Sequence, residues 1–296
     1  MESSLDSALR SLAENIDAQR AAALRGAADG EGAAVALLLG TVFPPLEAHH
    51  DWQRQALTRI AQEGWRIARS RQDYVRLLGE ECDDSAGCEP LLRTLRRFAW
   101  REKARIALRE TLPASLGGAA LPVTAQEISE LAEAVLWLAL REASAHVAER
   151  YGEPRREGGA RSSLLVLGMG KLGGRELNAG SDIDLVFLYD SDEGQGALSL
   201  HEHWTRVVRR AVSHLEEASE DGRVWAVDLR LRPEGSRGSL VNSLGAAERY
   251  YEAWGRTWER AALLRARAIE GPAELVQQFE RDVLTPFVRS EERRVG

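Results

Sequence analysis

Two short apolar runs separated by a glycine-rich stretch constrain the fold of this chain more than any other feature. The first run is 163–167 (SLLVL), the glycine-rich turn covers 168–181, and the second run is 182–189 (DIDLVFLY). Apolar runs of this length that are bounded by glycine are typical of buried strands. We therefore predict a strand, a glycine-rich turn and a second strand in direct succession.

The second run begins with two aspartates at alternate positions, Asp182 and Asp184. Side chains two apart in a strand point to the same face, so these two carboxylates lie side by side. Neighbouring carboxylates repel each other unless one is protonated or a cation bridges them, and Mg²⁺ is commonly held by carboxylates together with substrate phosphates. The pair is therefore either a ligand set for a divalent cation or a solvated strand edge.

A third carboxylate favours the cation. Asp228 lies in another strand-like run, 223–231 (RVWAVDLRL). Arg230 and Arg232 follow at the spacing that would put them on the face of Asp228. Three carboxylates with two arginines beside a glycine-rich turn are the groups that a metal-bound phosphate requires.

The glycine-rich turn also matches a second pattern. Its first residues, 168–173 (GMGKLG), fit the G-x-G-x-x-G dinucleotide fingerprint, and Asp190 follows about twenty residues later. That fingerprint has to open a full helix, whereas the glycines here leave only 175–179 free to be helical. Lys171 also lacks the Ser or Thr that follows the lysine of a Walker A loop. We therefore disfavour both of these nucleotide-binding patterns.

The single lysine of this turn is unusual for the chain. Lys103 and Lys171 are the only lysines among 39 basic residues, so 37 (39 − 2) are arginines. A compact ammonium group fits a tight turn beside a phosphate better than a guanidinium does. We therefore favour a functional Lys171, with an ordinary surface lysine as the alternative.

Composition excludes several classes of protein. The 296 residues carry a net charge of −7, which argues against a nucleic-acid binder of the basic kind. Cys82 and Cys88 are the only cysteines and belong to no Cys/His cluster, so neither zinc nor a disulfide framework is indicated. The apolar stretch 33–43 is too short to span a membrane, and the chain does not start with a secretion signal. We expect a cytoplasmic protein of one large or two smaller domains.

The rest of the chain has mainly the apolar spacing of helices. Residues 93–109 (RTLRRFAWREKARIALR) predict a basic amphipathic helix, whose arginines are either a solvated face or partners of an anionic group. Thr124 and Glu127 have the spacing of a capping box, which predicts a helix start. Further helices are predicted over 201–219 and 244–268. The last of these carries four aromatic residues that we assign to the core: Tyr250, Tyr251, Trp254 and Trp258.

A stretch of proline, glycine and charged residues, 153–160 (EPRREGGA), is the clearest linker. The predicted divisions are a helical region, a catalytic core, the start of a helical domain and a tail: 1–152, 161–243, 244–288 and 289–296. The tail (RSEERRVG) fits no element and reads as an artefact rather than natural protein.

Three separated blocks resemble one protein family. The first resemblance is to the polymerase-beta-type nucleotidyltransferases. In that family a glycine with a small or polar neighbour is followed, after about ten residues, by Asp-x-Asp, and a further aspartate comes later. This chain has a similar spacing, although many members have serine where it has Lys171. The chain is more closely similar to the bifunctional glutamine-synthetase adenylyltransferase/adenylyl-removing enzymes, over roughly 91–287. The blocks that carry this resemblance are GMGKLGGRELNAGSDIDLVF (168–187), VDLRLRPEGSRGSLVNS (227–243) and YYEAWGRTWERAALLRARAIEG (250–271).

The resemblance implies an α+β fold with a helical amino-terminal region, a nucleotidyltransferase core with a small mixed sheet, and carboxy-terminal helices. Members of this family carry two homologous units. One removes AMP from a glutamine-synthetase tyrosine by phosphorolysis, giving ADP, and the other attaches AMP using ATP. A single Asp-x-Asp block implies one unit here, and the initial Met, the helical leader, GMGK and GRTWER favour the removing unit. Attachment of AMP is one alternative, and a non-catalytic nucleotide-binding regulatory module is another.

The resemblance also implies a site and partners. Two Mg²⁺ ions would be held by Asp182 and Asp184, with Asp228 on the ion that activates the attacking phosphate. The groups expected on phosphate oxygens are Gly170, Lys171, Gly173, Gly174, Ser181, Arg230 and Arg232. The expected partners are adenylylated glutamine synthetase, phosphate with ADP or ATP, and a PII-type signalling protein, in the control of nitrogen assimilation. Neither nucleic acid nor membrane is expected, and the lack of a second unit puts the response to the signalling protein in doubt.

Overall fold

The computed structural model describes residues 2–25, 32–62, 65–82 and 88–289. The chain forms two compact units, and each of them is assembled from separate stretches of sequence. The first unit contains the chain up to Ala134 with Leu177–Ser181 and Glu220–Val224, and the second contains Val135–Glu176, Asp182–Ser219 and the chain from Trp225 onwards. Of the predicted tail, residues 290–296 lie outside the described part of the chain.

The first unit is helical. Its helices are α1 (Glu2–Ile16), α2 (Ala18–Leu24), α3 (Ala33–Val42), α4 (Asp51–Gln62), α5 (Arg71–Glu81), α6 (Cys88–Thr111) and the first part of α7 (Leu121–Tyr151), with 3₁₀ turns at Pro44–Leu46 and Ala114–Leu116. Helix α3 is apolar on all sides and therefore lies in the core, where α1, α2, α4 and α6 pack around it. Across the described ranges of the chain, no helix is long and apolar enough to cross a membrane.

Buried ion pairs join α6 to α7 in the first unit. Glu127 of α7 is almost completely buried, and Arg105 and Arg109 of α6 donate hydrogen bonds to its carboxylate. The hydroxyl of Tyr74 in α5 donates a third, at 3.1 Å. A carboxylate buried this deeply needs several such partners, because the loss of hydration is otherwise uncompensated.

Two sequence predictions change in this region. The arginines of 93–109 do not form one solvated face, since Arg105 and Arg109 are buried against acidic partners. The capping box predicted at Thr124 is wrong, because α7 already begins at Leu121. The Thr124 hydroxyl donates instead to the backbone carbonyl of Leu121, at 3.0 Å.

The second unit combines short strands with helices. Its strands are β1 (Arg155–Arg156), β2 (Leu164–Gly168), β3 (Ile183–Tyr189), β4 (Gly194–Gln195), β5 (Val227–Asp228), β6 (Asn242–Ser243) and β7 (Arg267–Glu270). Its helices, after the second part of α7, are α8 (Gly170–Gly173), α9 (Leu200–Glu216), α10 (Leu244–Trp254), α11 (Thr257–Leu263), α12 (Ala273–Phe279) and α13 (Thr285–Arg289), with a 3₁₀ turn at Gly235–Arg237 and a π-helical turn at Glu280–Leu284.

A mixed sheet organises the second unit, so the α+β prediction is confirmed. Strands β2 and β3 are antiparallel, as the strand–turn–strand pattern predicts, with Leu167 opposite Val186. The sheet order is β5, β3, β2, β7, and β6 pairs with the far end of β3. Strands β5 and β6 both run parallel to β3, whereas β7 is antiparallel to β2. Strands β1 and β4 form a separate antiparallel pair.

The carboxy-terminal part of the second unit differs from the predicted long helix. In place of one helix over 244–268, α10 ends at Trp254, α11 follows, and β7 joins the central sheet. Tyr251 is buried, as predicted, but Trp254 and Trp258 are 75% and 47% exposed. The assignment of these two tryptophans to the core is therefore wrong, because the break between the helices turns them towards solvent.

Candidate functional site

Three aspartates lie where β3 and β5 run side by side. Asp184 of β3 is paired in register with Asp228 of β5, so both side chains project from one face of the sheet. Asp182 comes directly before β3, two residues ahead of Asp184, and its charge is one of the influences that raise the pKa of Asp184. We call Asp182, Asp184 and Asp228 the aspartate site. The structure thus pairs two of the three carboxylates that the sequence selects, and the third lies two residues before one of them.

The surroundings of Asp184 disfavour its ionised form. Burial raises the pKa of Asp184, and the carboxylates of Asp228 and Asp182 raise it further. Among the residues that the structure describes, none donates a hydrogen bond to the carboxylate of Asp182 or Asp184. A cation bound at this point would remove the repulsion that raises the pKa of Asp184.

The glycine-rich turn lies close to Asp184 through the short helix α8. Gly170 has a positive φ of 51°, and a Cβ at this residue would lie 2.7 Å from Oδ2 of Asp184. Only glycine leaves this carboxylate oxygen open at no steric cost. Gly173 is required for a different reason, since its Cβ would lie 1.7 Å from the backbone carbonyl oxygen of Arg265. Gly170 therefore keeps the Asp184 carboxylate accessible, and Gly173 allows the turn to pack against the backbone of Arg265.

The other predicted phosphate ligands of the turn have different surroundings. Lys171 is exposed on α8, and its charge is one of the influences that lower the pKa of Asp184 against the larger effect of burial. Gly174 ends α8 and is exposed. Ser181 belongs to a segment of the first unit, in which its hydroxyl donates to Oδ1 of Asn178 at 2.8 Å. Their contacts with phosphate stay predictions.

The two arginines that follow Asp228 have different partners. Strand β5 ends at Asp228, so the prediction that strand alternation places both arginines beside it is wrong. Arg230 nevertheless turns back, and its Nε donates to both carboxylate oxygens of Asp228, at 3.0 and 2.8 Å. This contact lowers the pKa of Asp228. Arg232 instead donates to backbone carbonyls, including those of Leu229 at 2.6 Å and Ser239 at 3.1 Å, and so stabilises the turn.

The aspartate site has the right donors for Mg²⁺, although Asp228 is occupied by Arg230. In the described ranges of the chain, no group of three or more His, Cys, Asp or Glu side chains stands ready to hold a metal ion. Hard carboxylate oxygens in register, the raised pKa of Asp184 and the open oxygen beside Gly170 all suit a hard cation. The residues therefore fit the ion, and its binding stays a prediction.

Comparison with known proteins assigns the chain to a family. The profile of the glutamate-ammonia ligase adenylyltransferase family matches residues 52–282, which include the aspartate site and the glycine-rich turn. The chain belongs to this family. The resemblance seen in the three sequence blocks is confirmed.

Curated relatives in this adenylyltransferase family carry the name bifunctional glutamine synthetase adenylyltransferase/adenylyl-removing enzyme. The chain is 38% identical over 247 residues to the protein of Burkholderia pseudomallei, covering 80% of this chain and 25% of that protein. It is 43% identical over 201 residues to the protein of Methylococcus capsulatus (67% and 21%) and 41% identical over 214 residues to that of Pseudomonas aeruginosa (71% and 21%). The chain thus spans a quarter or less of the length of these adenylyltransferase relatives.

One residue that supports the glycine-rich turn cannot be predicted from the sequence. Arg267 of β7 donates to the backbone carbonyls of Leu172 (2.9 Å) and Gly173 (3.1 Å) and so holds the glycine-rich turn against the sheet. It lies in the third block of the resemblance, 250–271, but the predicted helix over 244–268 includes this residue, which instead begins β7. Without the strand, nothing in the sequence indicates which carbonyls this arginine meets.

Proposed function

We propose that the chain removes AMP from a tyrosine of adenylylated glutamine synthetase by Mg²⁺-dependent phosphorolysis, giving ADP. The observation that carries this proposal is the in-register pair of Asp184 and Asp228 beside the open glycine-rich turn, in a chain of the adenylyltransferase family. We place the reaction in the cytoplasm, in the control of nitrogen assimilation, with a PII-type signalling protein as a further partner of the longer relatives.

The residues of the site have distinct roles in this proposal. Asp182, Asp184 and Asp228 would hold Mg²⁺, which supplies charge neutralisation and orientation for phosphoryl groups when it is bound. Lys171 would supply a positive charge near the aspartates, since its charge lowers the pKa of Asp184. Gly170 leaves room for a phosphate oxygen beside Asp184. Catalysis of this kind depends on positioning and on stabilising charge rather than on a protein nucleophile.

The direction of the reaction rests on sequence motifs. GMGK at 168–171 and GRTWER at 255–260 resemble the removing unit more than the attaching unit. The relatives are named for both activities, and the same carboxylates would serve either direction. ATP-dependent attachment of AMP is therefore the alternative. A regulatory module that only binds nucleotide is disfavoured, because a binding site for an anion gains nothing from three carboxylates without a cation.

One paired assay tests the proposal. The purified chain is incubated with adenylylated glutamine synthetase, Mg²⁺ and phosphate, and ADP is measured; in parallel, it is incubated with unmodified glutamine synthetase and ATP labelled in the α-phosphate. We expect ADP that requires both phosphate and Mg²⁺, and no labelled protein. Labelled glutamine synthetase without ADP formation would assign the attaching activity instead. If neither ADP nor labelled glutamine synthetase is formed, the chain has no catalytic role of this kind.

A further inference from the structure

We propose that Arg230 is a reversible cap on Asp228: a divalent cation displaces its guanidinium, which then binds an anionic phosphate group. The inference rests on the proposed function, since it takes the aspartate site to bind Mg²⁺ and phosphate. It adds a link between these two ligands, because one side chain opposes the binding of the first and assists the binding of the second.

The cap uses the whole acceptor capacity of Asp228. An ionised carboxylate offers about four lone-pair positions on its two oxygens. The backbone N–H of Arg230 donates to Oδ1 at 2.8 Å, Nε donates to Oδ1 at 3.0 Å and to Oδ2 at 2.8 Å, and Nη2 also donates to Oδ2. The carboxylate is only 12% exposed, so there is little room for a further ligand. A cation can therefore bind Asp228 only if the guanidinium moves away.

Asp228 is the hydrogen-bond partner that holds the cap, and the charges of Asp182 and Asp184 also attract the guanidinium. The side chain of Arg230 is 77% exposed, and within the described residues its guanidinium hydrogen-bonds to Asp228 alone. Arg232, two residues later, shows what a fixed arginine looks like in the same turn. Its guanidinium donates to several backbone carbonyls, among them those of Leu229 and Gly238. Rotation of the Arg230 side chain thus breaks no other hydrogen bond.

The partner of Asp228 across the strands is uncapped. Asp184, in register with Asp228, accepts no hydrogen bond on its carboxylate from the described part of the chain. A cation that approaches Asp184 therefore meets a positive guanidinium on the facing carboxylate. A guanidinium cannot lose its charge by deprotonation, so it has to leave. Its planar fork then matches a phosphate group, which it can bind through two parallel hydrogen bonds.

Thermodynamic linkage fixes the direction of the expected effects. If cation binding frees Arg230, the cation raises the affinity for phosphate, and phosphate raises the affinity for the cation by the same factor. Part of this coupling comes from direct attraction between the two ligands. The part that depends on Arg230 is isolated by comparing Arg230→Gln with Arg237→Gln. Arg237 is an exposed arginine of the same turn that makes no contact with Asp228, so both variants lose one positive charge.

The first measurement is Mn²⁺ binding to the full chain without phosphate, followed by the electron paramagnetic resonance signal of free Mn²⁺. We expect Arg230→Gln to bind Mn²⁺ roughly 5-fold or more tightly than the wild type, at the low end of usual coupling factors. Arg237→Gln should stay within about 2-fold of the wild type, because it removes a charge but no competitor for the oxygens of Asp228. Equal gains for the two variants would reduce the effect to general electrostatics and overturn the proposal.

The second measurement is phosphate binding by equilibrium dialysis, with saturating Mg²⁺ and with EDTA. Arg230→Gln should weaken phosphate binding by about 5-fold or more with Mg²⁺ and leave it unchanged with EDTA, since the cap is then engaged in the wild type. A loss of the same size under both conditions would show a plain phosphate ligand and overturn the cap.

The two proposals fail in different ways. If neither the wild type nor Arg230→Gln binds Mn²⁺, and no ADP is formed from adenylylated glutamine synthetase, both the metal-dependent function and the cap are refuted. If the wild type binds Mn²⁺ and forms ADP while Arg230→Gln binds Mn²⁺ no more tightly, only the cap is wrong.

Discussion

Asp184 is the residue at which charge, burial and access coincide, so its replacement is the sharpest test of the site. If Asp184 is a ligand of Mg²⁺, Asp184→Asn should lower turnover at saturating Mg²⁺ at least tenfold, because it replaces a hard carboxylate ligand by an amide. The apo protein should be as stable as the wild type or more stable at neutral pH. The raised pKa means that ionisation of Asp184 costs folding free energy above that pKa, and the amide avoids this cost.

Urea unfolding at several pH values checks the stability part of this prediction. Any gain in Asp184→Asn should disappear as the pH falls and Asp184 becomes protonated in the wild type. Asp192→Asn is the matched control, since Asp192 is an exposed aspartate paired with Arg249. It should leave turnover unchanged. More than a tenth of wild-type turnover in Asp184→Asn would refute the metal assignment.

Lys171 decides whether the glycine-rich turn acts through a side chain or only through its backbone. If its ammonium stabilises phosphate charge, Lys171→Ala should lower kcat by ~10²–10³, the usual effect of removing such a group. Lys171→Arg should recover only part of this rate, because the larger guanidinium has a different shape in a tight turn. The free energy of unfolding should change by less than ~0.5 kcal/mol, since Lys171 is exposed. Near-normal kcat in both variants would show that the Lys171 side chain has no catalytic role and that only the backbone of the turn contacts phosphate.

At the scale of elements, one carboxylate joins α7 to α9. Glu142 of α7 accepts hydrogen bonds from Arg210 at 2.6 and 2.9 Å and lies 2.5 Å from Nε2 of His214, both in α9. Burial alone would raise the pKa of Glu142, but these partners outweigh it and lower the pKa to about 2. Glu142→Gln should therefore lower the free energy of unfolding by about 1–3 kcal/mol at neutral pH, somewhat less than for a fully buried pair.

The lowered pKa of Glu142 also predicts how the effect of Glu142→Gln on the free energy of unfolding changes with pH. A carboxyl group with a lowered pKa in the folded state stabilises the fold fully above its unfolded pKa, about 4.5, and less as the pH falls towards its folded pKa of about 2. The difference in unfolding free energy between wild type and Glu142→Gln should therefore shrink as the pH falls below about 4.5. A difference that grows on acidification would contradict the assigned ion pairs.

The sequence predicts an element well when neighbouring residues determine it, and poorly when its formation depends on residues far away in the chain. Strands β2 and β3 follow from apolar runs bounded by glycine, and both were predicted. The break between α10 and α11 is indicated in the sequence by Gly255, because glycine often interrupts helices. In the structure, a Cβ at this residue would lie 2.2 Å from the ring of Phe287. The strand-like run predicted over 223–231 contains β5, but the strand itself is only Val227–Asp228. The four-residue β7 lies partly in the predicted helix, and its pairing with β2 depends on a distant partner that no local pattern reveals. The cap of Arg230 on Asp228 likewise depends on a turn that strand periodicity does not foresee.

At the scale of the whole molecule, the predicted linker is not where the compact units divide. Part of 153–160 forms β1, which pairs with β4. The division falls within α7 instead, and 177–181 and 220–224 belong to the first unit although their neighbours in sequence belong to the second. Sequence signals of composition mark flexible stretches, but they cannot show that a short segment packs against helices far away in the chain. The boundaries 1–152, 161–243 and 244–288 therefore stay predictions.

A shortened chain of residues 135–296 tests this division. Two side chains of the displaced segments, Leu177 and Val224, are at most 1% exposed, and the carbonyl of Val224 accepts a hydrogen bond from Lys103 at 2.7 Å. Without the first 134 residues these contacts are lost, and burial of two such side chains is worth roughly 3–6 kcal/mol. Domains have only about 5–15 kcal/mol of stability in total. We therefore expect a markedly lower unfolding temperature, or no cooperative transition, in circular dichroism.

The segments 177–181 and 220–224 remain in the shortened chain without these contacts. One directly precedes Asp182 and the other ends four residues before Asp228, so the aspartate site should be disturbed as well. We expect the shortened chain to bind Mn²⁺ at least ~10-fold more weakly than the full chain, since a displacement of about 1 Å at such a site is enough for a large loss. Leu177→Ala in the full chain is the milder control and should lower the free energy of unfolding by about 2–5 kcal/mol. If the shortened chain unfolds cooperatively at the temperature of the full chain with equal Mn²⁺ affinity, residues 135–296 form an independent domain and the interleaved division is wrong.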